Sequence, residues 1–455
     1  MKATSAFLAA MAATMLATAT TATKTNGGIP VYVMLPLTQV DEHGLNDPQT
    51  LKADLAKLKS GGITGVMTDV WWGLVEKQTQ GVYNWTGYKA LASLVKDSGL
   101  KLQMVMSFHQ CGGNVGDTCN IPLPDYVQAV GNSNPGIFYT DREGFVNKEY
   151  ISLGADHQPL FNGKTPLNLY QAYMEAFAKE FSDYLGNTVD GILVGLGPAS
   201  ELRYPSYPSS QWKYCGIGEF QCYDRYMLAD LAQAAQDAGH PEWGYSGPSN
   251  AGTYNKYPSQ TGFFSNGGFD NYMSDYGKFF LNWYNTKLLE HGKDVLSIAN
   301  KIFASRNVVI GAKISGIHWW YADNSHAAEV TAGYYNTNNF DAYATIAKAI
   351  KPYVTTFDFT CMEMFDASNC GSKPVELVSQ AVGAVLGNGL EFDGENALEL
   401  CVPSCSQNSF DQIYRQSTQY GKINRFTYLR LTRSLLDVDN NWRVFTNFVN
   451  KMANA

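Results

Sequence analysis

Short apolar runs alternate with amphipathic helical segments about eight times along this chain. The first apolar runs are Val31–Leu37, Gly65–Trp72 and Lys101–His109, and leucines recur at helical spacing over Leu51–Leu58. Continuous apolar runs are typical of strands that are buried on both faces of a parallel sheet. The pattern therefore predicts an α/β protein, a (β/α)8 TIM barrel with enlarged βα loops at its C-terminal face.

The predicted strands can be placed along the chain. They cover residues 31–37, 65–72, 101–109 and 190–194, a fifth near 243–245, and then 307–321, 355–364 and the segment that ends at Glu395. The main predicted helices begin at Pro48 and cover 88–95, 168–184, 219–238, 279–302, 341–350 and 375–385. The last segment, from Arg425, is predicted to have a strand-like start over Phe426–Leu431 and a final helix.

The N-terminal residues and the net charge of the chain indicate its cellular location and its class of ligand. Lys2, the uncharged apolar run Phe7–Leu16 and the small residues Ala17–Ala19 form the pattern of a signal peptide over residues 1–19. No later segment is long and apolar enough to cross a membrane, so we expect a secreted, extracellular protein with one catalytic domain over residues 20–455. The net charge of −8 argues against binding to nucleic acid.

Eight cysteines fit an oxidising compartment. Their spacing suggests local pairs, which are Cys111 with Cys119, Cys215 with Cys222 and Cys401 with Cys405, and it leaves Cys361 and Cys370 as a further candidate pair. Structural zinc is the competing interpretation, but the sequence contains no CxxC or HExxH motif. We therefore assign no metal site.

Polar side chains stand where most of the predicted strands end. The set is Asp69, His109, Glu201, Lys313, Thr360 and Glu395. In an α/β barrel the carboxyl ends of the strands all face the loops that build the active site. One such residue is more often a structural anchor, but six strand ends of this kind predict a shared polar cleft.

Two members of this set, Glu201 and Glu395, suggest hydrolysis of a sugar polymer. Cleavage of a glycosidic bond uses one carboxylic acid at the leaving oxygen and a second carboxylate, ~5 Å away in retaining enzymes and ~6.5–9.5 Å away in inverting ones. Placement on the fourth and eighth predicted strands, across the barrel, favours the wider pair, and a retaining glycosidase remains the alternative. Five aromatic residues offer flat faces for sugar rings or, with equal weight, core packing; they are Trp71, Trp72, Tyr204, Tyr207 and Trp319.

A glycine-rich loop, Gly112–Gly116, follows the third predicted strand. A phosphate cradle is disfavoured because the loop is neither GxGxxG nor followed by Lys-Ser/Thr. A mobile lid suits the glycines better, with Asp117 reaching the substrate when the lid closes. A static turn is the remaining alternative.

Several longer motifs resemble those of the β-amylases, glycoside hydrolase family 14. They occupy residues 69–73, 108–117, 195–208, 218–224, 315–320 and 394–398, and the resemblance runs in order from about residue 30 to the C-terminus. It implies an exo-acting, inverting hydrolase that releases β-maltose from the non-reducing ends of α-1,4-glucans such as starch. It also implies a single catalytic domain without a separate starch-binding domain, which we expect to be a monomer.

The resemblance assigns roles to individual residues. Glu201 falls on the general acid of the family, Glu395 on the general base, Asp117 on the flexible lid and Thr360 on a second mobile loop. Further substrate-contact positions fall on Asp69, His109, Ala199, Lys313, Gly316, His318, Asn396, Leu398 and Arg430. The pair Cys111–Cys119 resembles a loop disulfide of secreted bacterial members. Some members bind calcium, but no calcium ligands are assigned here, and no cofactor is expected.

Three departures from the family pattern are visible. Leu193 stands where plant members carry a glutamate, Ser200 replaces a glycine directly before Glu201, and residues 399–405 differ from the plant sequence. A catalytically silent maltodextrin-binding protein of the same fold is therefore the main rival function. Such relatives usually lack a catalytic carboxylate or the lid residue, and Glu201, Glu395 and Asp117 are all present here.

Overall fold

A computed structural model describes residues 27–265 and 269–455 and contains a closed barrel of eight parallel strands. The barrel strands, β1 to β8, are Val31–Met34, Gly65–Trp71, Lys101–Ser107, Val189–Val194, Val309–Ile314, Thr356–Phe359, Glu391–Glu395 and Arg425–Tyr428. Successive strands pair in chain order, and β8 closes the barrel on β1 with Thr427 opposite Tyr32. The predicted (β/α)8 barrel is confirmed.

One main helix follows each strand. These helices, α1 to α8, are Pro48–Ser60, Thr86–Ser98, Pro166–Glu180, Asp275–Phe303, Ala342–Ile350, Pro374–Gly387, Gln407–Thr418 and Asp439–Ala453. The first begins as the sequence predicts, since the side chain of Asp47 caps it by accepting a hydrogen bond from the Thr50 N–H at 3.1 Å. Its leucines are buried against the barrel, so the continuous core lies between the strands and the ring of helices.

The loops at the C-terminal ends of the strands carry the remaining elements. Short α-helices cover Trp72–Val75, Asp125–Ser133, Arg225–Asp237, Ala327–Thr331 and Arg433–Asp437. Single 3₁₀ turns cover Pro135–Ile137, Leu153–Ala155, Pro198–Ser200, Pro241–Gly244, Pro258–Gln260 and Asn369–Gly371. Two antiparallel pairs join Val40–Asp41 to Gly44–Leu45 and Phe138–Thr140 to Val146–Ile151. Most of these residues lie in the long loops after β3 and β4, which enlarge the mouth of the barrel.

The predicted fifth strand is wrong. Residues 241–244 form a 3₁₀ turn in which the Trp243 ring stacks on His240 at 3.8 Å. The true fifth strand is Val309–Ile314, and the eighth is Arg425–Tyr428, which was predicted only as a strand-like start. Glu395 therefore ends the seventh strand rather than the eighth.

The disulfides correct two of the cysteine predictions. Cys111–Cys119 and Cys401–Cys405 are bonded as predicted, but Cys215 is bonded to Cys370, 155 residues away. Cys222 and Cys361 are free and buried. The spacing of the cysteines could not predict the Cys215–Cys370 bond, because it joins the loop after β4 to the loop after β6.

Removal of the Cys215–Cys370 disulfide should destabilise the protein. A cross-link that closes a long loop restricts the unfolded chain strongly, so we expect the double variant Cys215→Ser/Cys370→Ser to lose about 2–4 kcal/mol of unfolding free energy in urea titrations. Cys401→Ser/Cys405→Ser is the control, because its disulfide closes a sequence separation of only 4 residues. A larger loss in the control would contradict the loop-length argument.

In the described ranges, none of the helices has the length and apolar character that a membrane crossing requires. The predicted signal peptide, residues 1–19, lies outside the described residues.

Candidate active site

Lys313 on β5 is the centre of the polar cleft. Its ammonium donates hydrogen bonds to Glu395 Oε1 at 2.5 Å and to Asp358 Oδ2 at 3.2 Å. The loop after β4 runs beside the same strand, because the Leu202 N–H donates to the Lys313 carbonyl at 2.9 Å. Burial opposes the charge on Lys313, but the carboxylates of Asp358, Glu395 and Glu201 raise its pKa. One cation thus lies in electrostatic reach of both candidate catalytic carboxylates.

Glu395 is the last residue of β7 and is 1% exposed. One of its oxygens is held by Lys313, and the other, Oε2, has no hydrogen-bond partner among the described residues. Burial and then the neighbouring Asp358 raise the pKa of Glu395 well above its usual range, whereas Lys313 lowers it. Glu395 can accept a proton only in its ionised form, which the charge of Lys313 favours.

Glu201 lies just after the turn Pro198–Ser200, where its backbone pairs with that of Lys313. Its Oε2 accepts a hydrogen bond from Arg203 Nε at 2.7 Å. The Arg203 side chain is itself 1% exposed, lies over the Tyr207 ring at 4.2 Å and donates to Asn114 Oδ1 at 3.0 Å. Arg203 therefore connects this carboxylate to the glycine-rich loop, a role that sequence reasoning missed.

The glycine-rich loop is braced by its own aspartate. The Asp117 carboxylate accepts hydrogen bonds from the backbone N–H groups of Gly112 at 2.8 Å and Asn114 at 3.0 Å. The disulfide Cys111–Cys119 closes the base of the loop. These contacts hold Asp117 within its own loop, and its role as a lid residue stays a prediction.

Asp69 on β2 and His109 just after β3 lie in electrostatic reach of Lys313 and Arg203, respectively. Ser107 Oγ donates to Asp69 Oδ1 at 2.8 Å, and burial raises the Asp69 pKa while Arg430 and Lys313 lower it. The His109 ring packs on Trp71 at 5.0 Å. Burial and the charge of Arg203 lower its pKa to about 3, so the imidazole is neutral and available for hydrogen bonding.

The loops after β5 and β6 contact each other through Gly316. Its N–H donates to Thr360 Oγ1 at 2.9 Å, and a Cβ atom at this position would lie 2.7 Å from Cys361 Sγ. Only glycine permits this approach. His318 Nδ1 lies 2.8 Å from Ser372 Oγ, and burial lowers the His318 pKa to about 4.

The residues near β7 and β8 form the rim. The Leu429 N–H donates to Asn396 Oδ1 at 2.9 Å, and Arg430 Nη1 donates to the Leu35 carbonyl at 3.2 Å. Leu398 is 59% exposed, and its backbone N–H donates to Glu363 Oε1 at 2.7 Å. The side chain of Leu398 is therefore not packed in the core, and its contact within the site is made by its backbone N–H.

Two departures from the family pattern have a structural explanation. Leu193 packs with Met34, Met67 and Val105 inside the barrel, so an apolar layer occupies that position. Ser200, like Ala199, adopts a left-handed conformation, with φ of 63° for Ser200 and 53° for Ala199. The Ser200 hydroxyl lies 3.3 Å from His109 Nδ1 and so contributes a polar contact that glycine would lack.

The predicted sugar-stacking aromatic residues divide into two groups. Trp71, Trp72 and Tyr204 are at most 1% exposed, so the core-packing alternative applies to them. Tyr207 and Trp319 retain 8% and 7% exposure and pack edge to face at 5.3 Å. Sequence reasoning missed an exposed neighbour: the Tyr214 ring, 6.2 Å from His318 and 53% exposed. Its exposure could not be read from a loop without regular periodicity.

Comparison with known proteins identifies the family. The model of glycosyl hydrolase family 14 matches residues 32–455. The chain belongs to this family. It is 47% identical to β-amylase of Glycine max over 440 residues, covering 93% of this chain and 87% of that protein. It is also 47% identical to β-amylase of Zea mays over 440 residues, covering 93% and 88%.

A solved structure agrees with the sequence relatives. The catalytic domain of β-amylase from Paenibacillus polymyxa superposes with a TM-score of 0.77 at 33% identity, covering 94% of this chain and 99% of that one. The prediction that this chain is an enzyme of the β-amylase class is confirmed. Among residues 27–265 and 269–455, no group of three or more histidine, cysteine or acidic side chains is arranged to hold a metal ion.

A further buried carboxyl group, Glu149, lies beneath the glycine-rich loop of the candidate active site. It is 2% exposed, its Oε1 has no hydrogen-bond partner among the described residues, and it packs under Gly113 of the glycine-rich loop. Burial raises the Glu149 pKa to about 8, Arg203 lowers it and Asp117 raises it. Sequence reasoning missed Glu149 because it lies on a short hairpin strand rather than at the end of a barrel strand.

The raised pKa of Glu149 predicts a pH-dependent stability. Between its ordinary pKa of 4.5 and its folded value of about 8, the folded protein holds a proton that the unfolded chain releases. The unfolding free energy should therefore fall as the pH rises through this window. Glu149→Gln removes this titration, so urea unfolding should show the variant gaining on the wild type by up to about 1.4 kcal/mol per pH unit. A stability difference that is constant with pH would contradict the assignment.

Proposed function

We propose that this chain is a secreted β-amylase that hydrolyses α-1,4-glucosidic bonds at the non-reducing ends of starch and related α-glucans, with inversion, and releases β-maltose. The observation that carries the proposal is the pair of carboxylates, Glu201 after β4 and Glu395 on β7, each hydrogen-bonded to its own buried cation. A barrel with two carboxylates in distinct environments is suited to acid and base roles in glycoside hydrolysis.

Glu201 is the proposed proton donor. Protonated Glu201 would give its proton to the glycosidic oxygen as the bond to the anomeric carbon breaks. Arg203 fixes the orientation of its carboxyl group through the 2.7 Å contact and is itself held by Asn114. Because Asn114 belongs to the glycine-rich loop, the position of that loop would affect the placement of the proton donor.

Glu395 is the proposed base. It would remove a proton from a water molecule that attacks the anomeric carbon from the opposite face, which inverts the configuration. Lys313 keeps the carboxylate oriented through the 2.5 Å hydrogen bond, and the second oxygen is left for the water. Asp358 counteracts part of the lysine charge and so keeps the base strong.

Substrate positioning is proposed for the remaining residues of the cleft. Asp69, neutral His109 and Lys313 would hydrogen-bond sugar hydroxyls, and Asp117 would close over the chain end. The same role is proposed for the backbone and side chains that face the cleft from the later loops. These are Ala199, Gly316, His318, Thr360, Asn396, Leu398 and Arg430.

The order of product release tests exo-action. Maltohexaose labelled at its reducing end should first give unlabelled maltose and labelled maltotetraose, and labelled maltose should appear last. An endo-acting enzyme would release labelled maltose and maltotriose early. A cyclic α-glucan, which has no chain end, is the control and should not be hydrolysed.

Secretion is proposed from the N-terminal pattern and is supported by the three disulfides, which form in oxidising compartments. Sequencing of the protein recovered from the culture medium should show a mature N-terminus at Thr20. Protein that stays inside the cell with Met1 retained would contradict secretion. We propose that the mature protein is a monomer, which light scattering would test against a mass slightly below the 50.1 kDa of the full chain.

A further inference from the structure

A second cavity lies outside the catalytic cleft, between the loop that follows β5 and helix α6. Its volume is about 560 Å³, within the range of about 300–1,000 Å³ that is usual for small-molecule sites. Tyr321, Asn324, Asn338, Phe340 and Gln380 are among the residues that line it.

The lining of this cavity is uncharged and rich in amides. The described residues around it include four asparagines and one glutamine but no lysine, arginine, aspartate or glutamate. Its one histidine, His326, is paired with the buried carboxylate of Glu329. Asn336 and Gln380 hydrogen-bond each other, so Asn324 and Asn339 are the amides that would face a ligand. Side-chain amides both donate and accept, so they match a neutral ligand with many hydroxyl groups better than an anion or a cation.

An exposed aromatic ring completes the lining. Phe340 is 51% exposed, and its ring stacks on Tyr335 at 4.5 Å with an interplanar angle of 21°. Asn338 holds the Tyr335 ring in place, because its side-chain amide donates to the Tyr335 hydroxyl at 3.1 Å and to the Tyr272 carbonyl at 2.7 Å. The result is a rigid apolar face beside amide groups, which is what a pyranose ring with one apolar face requires.

The cavity lies at the same end of the barrel as the active site. The loop after β5 carries His318, and Tyr321 enters the cavity wall three positions later. Residues 318–320 are held to the loop after β6 by two backbone hydrogen bonds. The Trp320 N–H donates to the Cys370 carbonyl at 2.7 Å, and the Lys373 N–H donates to the His318 carbonyl at 2.9 Å. A long polymer is therefore able to contact both regions.

We propose that this cavity is a second α-glucan-binding site, which holds one part of a long chain while a chain end occupies the active site. The proposal rests on the proposed function, since that function supplies the ligand: an uncharged polymer of glucose. A second attachment raises the effective concentration of chain ends at the cleft. It benefits only substrates long enough, or branched enough, to reach both sites.

Phe340→Ala tests the proposal through kinetics. The variant should lower kcat/KM for amylopectin about 3- to 10-fold relative to kcat/KM for maltopentaose, chiefly through KM, because the short substrate fills only the cleft. Tyr245→Ala is the matched control: its ring is 85% exposed and lies outside the cavity lining. This control should leave the ratio unchanged. An equal fall for both substrates, or no fall for either, would overturn the proposal.

A binding measurement provides the second test. Calorimetry of maltoheptaose with the Glu395→Gln variant should detect two sites per chain. The double variant Glu395→Gln/Phe340→Ala should show only one. A single site in the Glu395→Gln parent would overturn the second site alone. Absence of starch hydrolysis by the wild type would instead overturn the proposed function, so the two failures are distinguishable.

Discussion

Glu395→Gln should reduce kcat on soluble starch by about 10⁴-fold, at the upper end of the contribution of general base catalysis. The amide has nearly the same shape but cannot take a proton from water. Its amide oxygen can still accept from Lys313, but the ion pair that the carboxylate now makes with Lys313 at 2.5 Å is lost. The release of reducing sugar, divided by the concentration of folded enzyme, would give kcat for the wild type and for the variant.

Binding should survive this substitution. Equilibrium titration of the Glu395→Gln variant with maltopentaose is expected to give an affinity within about tenfold of the wild-type KM, because the change removes no positioning group. The rival function, a maltodextrin-binding protein without catalysis, makes a different prediction. It requires that the wild type and the variant bind alike and that neither hydrolyses starch.

Lys313→Met should cost about 3–5 kcal/mol of unfolding free energy, because it leaves Glu395 and Asp358 buried without their shared cation. Two adjacent buried carboxylates cannot both remain ionised, so one would take up a proton and the base would be weakened. We therefore also expect kcat to fall by about 10²-fold or more. Urea unfolding and initial rates would measure the two effects.

A double-mutant cycle separates the charge effect from simple loss of packing. Lys313→Met combined with Glu395→Gln should be less destabilising than the sum of the two single changes, because the second change removes one of the stranded charges. Strict additivity would mean that the ion pair does not couple these residues. Lys313→Arg retains the charge and should lower the unfolding free energy less than Lys313→Met does.

The architecture could be predicted because it depends on local patterns. Alternating apolar runs and helical spacing predicted seven of the eight barrel strands as strands and the eighth as a strand-like start, and Asp47 with Pro48 predicted the start of α1. The error at 243–245 arose in the long loop after β4, where aromatic residues imitate a strand but pack as a stacked turn. Without tertiary contacts, a short aromatic segment of this kind cannot be distinguished from a strand.

The candidate site was predictable where residues stand at strand ends. Asp69, His109, Lys313 and Glu395 were found in this way, and the structure brings them to one end of the barrel with Glu201. Asp358 was missed although it gives a signal, since a charged residue inside the apolar run Thr356–Phe359 requires a buried partner. Arg203, Glu149 and the Cys215–Cys370 disulfide depend on loops that meet only in the folded protein.

Proton NMR of the anomeric signals during the first minutes of starch digestion tests the roles of Glu201 and Glu395 most directly. Because these residues are assigned as acid and base across an attacking water, we expect maltose to appear as the β-anomer and the α-anomer to form only by mutarotation. Maltose that appears first as the α-anomer would mean retention of configuration. It would contradict the assignment of Glu395 as the base.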